Sequence, residues 1–176
     1  LGVLRTGTST WAGGVNDQGT SVGVTRYANS LGLATQWNAA GQPSLLQGLC
    51  DTQGSTAFGI NRAGQVVGAD YGDPFVNSYY RAVIWNQGQV SPLYTPGYAS
   101  SIARDVNEHG EVAGSAWTVN TRPEHAVVWN ADGSMRTLAT PDGFDASSAA
   151  HLNELGWVVG QSTRSADGLV SELMLW

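Results

Sequence analysis

One phrase recurs four times along this chain at almost constant spacing. Asn16-Asp17-Gln18-Gly19, Asn61-Arg62-Ala63-Gly64, Asn107-Glu108-His109-Gly110 and Asn153-Glu154-Leu155-Gly156 begin 45, 46 and 46 residues apart. A branched apolar residue precedes each (Val15, Ile60, Val106, Leu152), and a second glycine follows each phrase (Gly23, Gly68, Gly114, Gly160). A regular period of this length sets the fold class before any local motif is weighed. Each copy is one supersecondary unit that buries its apolar face only against its neighbours.

The second copy shows the unit most clearly. Ala57–Asn61 alternates like a short strand, Arg62–Gly64 turns, and Gln65–Gly68 returns as a second strand. Arg81–Trp85 forms a third strand, Asn86–Gly88 turns again, and Val90–Tyr94 forms a fourth. Asn-x-x-Gly and Asn-x-Gly are hairpin chemistry: the Asn side chain bonds its own backbone and the Gly takes positive φ. Four short strands per period predict an all-β, four-bladed β-propeller with four antiparallel strands per blade. The blades span about 11–49, 56–95, 102–139 and 149–176. Leu46, Leu93 and Leu138 lie 14 or 15 residues before the next repeat's Asn, and Leu1 lies 15 before Asn16. The N-terminal segment 1–8 is therefore expected to supply the outermost strand of the last blade and close the ring. The competing reading is a piece of a larger propeller, or half of one built by two chains. Trp37, Trp85, Trp129 and Trp176 recur at one strand position, as expected for packing between blades.

Composition narrows the partners. The eight basic residues are all Arg, the formal net charge is −6 and apolar residues make up 41%. That balance excludes nucleic acid as a partner through electrostatics and excludes a disordered chain. No apolar run approaches membrane-spanning length. Cys50 is the lone cysteine, so no internal disulfide forms, and it reads as a small strand-end residue. The chain begins without Met and reads as a mature or excised segment of a longer precursor.

The pattern Ala-x-x-Ile-Asn-x-x-Gly-x-Val-x-Gly, followed by His/Arg-Ala-apolar-apolar-Trp, resembles the HAF repeat of predicted extracellular bacterial proteins. Arg81-Ala82-Val83-Ile84-Trp85 and His125-Ala126-Val127-Val128-Trp129 carry the likeness. Leu33-Ala34 and Glu172-Leu173 depart from it at the His/Arg-Ala pair. The resemblance implies an extracellular or cell-surface bacterial protein and implies no chemistry.

Function is expected away from the repeated residues. Tight turns fall on one face of the ring, and the longer loops between second and third strands fall on the other, where binding residues concentrate. Those loops supply the candidate ligand-binding set Arg26, Tyr27, Asp70, Tyr71, Tyr79, Tyr80, Trp117, Arg122 and Arg164. Asp73, Phe75, Asn120, Glu124 and Asp167 accompany them. Aromatic faces with Arg and Asp rims suit a glycan or a protein surface. Asp105 and His151 sit just before the apolar-Asn pair of their repeats, where they could meet at the channel mouth and hold an ion or a water. No Gly-x-Ser-x-Gly, His-Glu-x-x-His, phosphate loop or EF-hand occurs, so no catalytic residue or cofactor is assigned. The expected function is a non-catalytic extracellular binding or structural module that contacts glycan or protein, with self-association as a structural variant. The alternative is a polysaccharide hydrolase or lyase at the channel mouth, resting on fold analogy.

Overall fold

The computed structural model describes residues 2, 9–27, 32–49, 53–72, 79–118, 121–164 and 170–176, with backbone alone over 121–123. Every described element is a strand. β1 (Ser9–Val15), β2 (Ser21–Arg26), β3 (Leu33–Trp37) and β4 (Pro43–Leu45) form a first antiparallel sheet in chain order. β5 (Gly54–Ile60), β6 (Val66–Tyr71), β7 (Tyr80–Asn86) and β8 (Gln89–Pro92) form the second. β9 (Ser100–Val106), β10 (Val112–Thr118), β11 (Thr121–Trp129) and β12 (Met135–Thr137) form the third. β13 (Ala146–Leu152), β14 (Val158–Arg164) and β15 (Val170–Leu175) form the fourth, which holds three strands among the described residues. The expected closing strand falls on residues 1–8, of which only Gly2 is described. Among the described residues no helix is long and apolar enough to cross a membrane.

The repeated Asn does more than start a turn. In each copy its side-chain oxygen accepts the backbone N–H four residues on: Thr20, Gln65, Glu111 and Trp157. The following Gly19, Gly64, Gly110 and Gly156 all take φ between 76° and 81°, a region that penalises any side chain. The amide nitrogen then reaches the neighbouring sheet. Asn16 Nδ2 donates to the Asn61 carbonyl at 3.1 Å, Asn61 to Asn107 at 3.0 Å and Asn107 to Asn153 at 3.2 Å. The second glycine has a different cause. A Cβ on Gly23, Gly68, Gly114 or Gly160 would collide with a carbonyl of the first strand, that of Trp11, Thr56, Ile102 or Ser148.

Consecutive sheets pack through one recurring junction. Val22, Ala34 and Leu46 of the first sheet and its exit meet Ala57, Val66, Val83 and Trp85 of the second. Val67 and Ala82 meet Ala103, Val112, Val127 and Trp129 in the next junction. Ala113, Ala126 and Leu138 meet Ala149 and Val158 in the third. A hydroxyl locks each one: Ser55, Ser101 and Ser147 accept the N–H of Ala34, Ala82 and Ala126 at 2.9–3.1 Å. The tryptophans complete the junctions, as expected from sequence. The indole N–H of Trp37, Trp85, Trp129 and Trp176 donates to the carbonyl of Gly2, Gln47, Tyr94 and Ala139 respectively. Burial of three such rings makes them the largest enclosed side chains of the core.

The fourth sheet and the first carry the two unmatched halves of that junction. No comparable packing joins β13–β15 to β1 among the described residues. Leu173, which stands three residues before its Trp as Ala34, Ala82 and Ala126 do, is 87% exposed while the three alanines are fully buried. Val15, equivalent to the buried Val106, is 68% exposed. A seam therefore runs between the fourth sheet and β1.

Candidate functional site: an aromatic groove on the inner strands

Each innermost strand carries one extra residue. Pairing with the second strand skips between Ala12 and Gly14, Ala57 and Gly59, Ala103 and Asp105, and Ala149 and His151. The bulged residues are thus Gly13, Phe58, Arg104 and Ala150. A bulge re-aims its side chain out of the normal alternation, and here Phe58 and Arg104 are turned toward the space between the sheets. The Arg104 guanidinium lies 5.2 Å from the Phe58 ring centre, within cation–π range. Trp11 meets Phe58 edge-on at 6.2 Å. Gly13 permits this approach, because a Cβ there would press on the Phe58 carbonyl at 2.8 Å.

These residues line two cavities that share Trp11 and Phe58 and are taken together as one groove. Its upper part, about 430 Å³, lies at the long-loop end between Trp11, Arg26, Phe58 and Tyr71. Its lower part, about 690 Å³, passes Trp11, Phe58 and Arg104 and runs along the seam to His151, Gln161, Glu172 and Leu173. Trp11 and Phe58 belong to both parts. Trp11 is 53% exposed, an apolar plate offered to solvent beside two guanidinium groups and several hydroxyls. Such a surface can stack on a ligand face while its polar rim accepts and donates hydrogen bonds.

The residues expected from sequence divide into several groups. Arg26 and Tyr71 line the groove. Tyr71 donates its hydroxyl to Thr56 Oγ1 at 2.6 Å, and burial raises its pKa above the ordinary tyrosine value, with the Thr56 bond opposing. Tyr80 stands edge-on to Tyr71 at 5.0 Å and leans on Trp117 at 5.7 Å, so an aromatic row crosses from the second sheet to the third. Tyr79 pairs instead with Arg81, whose guanidinium lies 5.2 Å from its ring centre. Arg164 covers Phe144 at 5.6 Å, on the fourth sheet. Tyr27 is half-buried just past β2. Asp70 is fully buried, and its Oδ2 accepts the Leu49 N–H at 2.7 Å, which ties the link between the first two sheets. The side chain of Arg122, together with Asp73, Phe75, Asn120, Asp167 and Cys50, lies outside the described residues.

Asp105 and His151 do meet, with Nδ1 3.4 Å from Oδ2. The carboxylate also accepts the N–H of Val106 and of Leu152 at 3.0 and 3.1 Å, so it pins two bulged inner strands together. Among the described residues no group of three metal-ligating side chains forms.

Trp11, Phe58 and Arg104 were missed in the sequence. The signal for Phe58 and Arg104 was present: right after the repeated alanine (Ala12, Ala57, Ala103, Ala149), one position holds the four unlike residues Gly13, Phe58, Arg104 and Ala150. No protein-family model and no curated protein sequence matches this chain.

Proposed function

We propose that this protein is a non-catalytic binding module that holds an extended glycan in the groove running past Trp11 and Phe58. One observation carries the reading: an exposed Trp and a bulge-aimed Phe stand side by side, flanked by Arg26 and Arg104. Sugar rings present an apolar face to such plates and hydroxyls to such a rim. Among the described lining residues Glu172 is the one carboxylate of the lower groove. Hydrolysis of a glycosidic bond uses a facing pair, which favours binding over the hydrolase alternative. The four sheets are read as blades of one β-propeller, supported by three copies of one junction. The HAF-repeat likeness adds export to the cell surface or beyond.

The test is a glycan array followed by titration calorimetry on the best ligand. Trp11→Ala should weaken binding at least tenfold without unfolding the protein. A protein that binds no glycan, or a Trp11→Ala variant that binds as well as the parent, rejects the reading.

A further inference from the structure

Charge is not spread evenly over this chain. Asp17, Glu108, Glu111 and Glu154 stand in or beside the tight Asn-x-x-Gly turns, where they accept from Arg62, from the backbone or from the repeated Asn. Asp105 engages the N–H of Val106 and Leu152 and stands beside His151. The groove carries the opposite sign. Arg26 and Arg104 are exposed on β2 and β9, and among the described residues neither joins an ion pair. No carboxylate lines the upper cavity among the described residues; its polar groups are Arg26, the Tyr71 phenol and the hydroxyls of Ser9, Thr10 and Thr56. Arg104 lines the lower cavity, where Glu172 is the one carboxylate among the described residues. Burial is the main cause that raises the Tyr71 pKa, and the weaker opposing influences include both guanidinium groups, those of Arg26 and Arg104. Two cations from different sheets therefore act on one phenol at the groove wall.

We propose that the groove selects an acidic glycan, one bearing carboxylate or sulfate groups, with Arg26 and Arg104 as the residues that recognise the charge. This rests on the glycan reading above and adds the substituents of the sugar to it. Trp11 and Phe58 offer their faces to acidic and neutral sugar rings alike, so the aromatic plates do not choose between them. The guanidinium groups do. A guanidinium is planar, always charged and weakly hydrated, and its fork fits the paired oxygens of a carboxylate or sulfate. Arg104 lies 5.2 Å from the Phe58 ring centre, a contact that holds the fork before a ligand arrives and leaves its edge N–H groups to donate. The formal net charge of −6 does not oppose this at contact range, because at physiological salt exposed charges beyond about 8 Å are largely screened.

Two matched pairs of probes test this by titration calorimetry: an oligogalacturonate against its carboxyl-reduced form, and a sulfated galactan oligosaccharide against its desulfated form. In at least one pair the acidic member should bind about tenfold more tightly or better, as expected for one charge-assisted hydrogen bond. The pair that shows it assigns the group as carboxylate or sulfate. Arg26→Gln and Arg104→Gln should each shrink that ratio, and the double variant should bring it near unity. Both should melt close to the parent, because the two side chains are exposed. Trp11→Ala should weaken both members of the pair and keep the ratio. Equal binding of acidic and neutral members, or binding of neutral glycans alone, overturns the inference while leaving the glycan reading in place. A ratio that survives in the double variant overturns the role of the two arginines. Binding of no glycan of either kind rejects the glycan reading and this inference with it.

Discussion

Replacing Asn107 with Ala separates a turn residue from a tie between sheets. The Asn107 side chain is 2% exposed and makes four hydrogen bonds. Two hold its own turn, accepting from His109 and Glu111; one reaches Glu111 Oε2, and one reaches the Asn153 carbonyl in the next sheet. At about 0.5–1.5 kcal/mol net per bond, with two acceptors left short of a donor, the loss comes to about 3 kcal/mol. Asn153 is the internal control. It is exposed, accepts from Leu155 and Trp157 in its own turn, and makes no equivalent tie among the described residues. Asn153→Ala should therefore cost about 1 kcal/mol, the ordinary worth of a local cap. Urea denaturation of both variants, at unchanged m-value, gives the comparison. For a domain of this size, Asn107→Ala should lower the melting temperature by about 6–12 °C and Asn153→Ala by about 2–4 °C. Equal losses in the two variants would refute the tie and reduce the repeated Asn to turn chemistry.

Gly68→Ala should destabilise by about 3 kcal/mol or more, because its Cβ meets the Thr56 carbonyl of the adjacent strand rather than a movable side chain; thermal melts or loss of soluble protein report it. Stability should also fall as pH rises through the alkaline range. The folded state holds the Tyr71 proton more tightly than the unfolded chain, so this contribution is complete below the unfolded tyrosine value and is lost above it. Urea midpoints at about pH 9 and about pH 11 should therefore separate more for the parent than for Tyr71→Phe. Arg104→Ala should weaken the groove ligand several-fold with a stability change under about 1 kcal/mol, read by calorimetry and a melt on the same sample.

The repeat made the sheets legible and left the groove hidden, for a physical reason. Turn chemistry and packing recur, so Asn61, Gly68 and Trp85 announce themselves through their copies. A binding position is where copies differ, and difference is visible only once the register is known. Phe58 and Arg104 occupy bulges, and one extra residue reverses the side to which a side chain points. Without the bulge, simple alternation does not aim them at the groove. Asp70 erred in the opposite direction. Its place beside a Tyr-rich loop suggested a binding carboxylate, but it stands opposite Ser55 on the buried side of β6. The equivalent Thr25, Ala116 and Ser162 are small and buried, which marks the position as interior. Tyr71 and Arg26 stand opposite Gly54 and Ser9, at the ends of their strand pairs, where both line a cavity.

The central claim is that the groove past Trp11 is the binding surface. Indole N–H resonances of the seven tryptophans, followed by two-dimensional NMR during titration with the best array ligand, test it most directly. The account predicts that the Trp11 resonance, assigned by its loss in Trp11→Phe, moves with ligand. Those of Trp37, Trp85, Trp129 and Trp176, each already bonded to a backbone carbonyl, should stay in place. A stationary Trp11 resonance at saturating ligand would contradict the account.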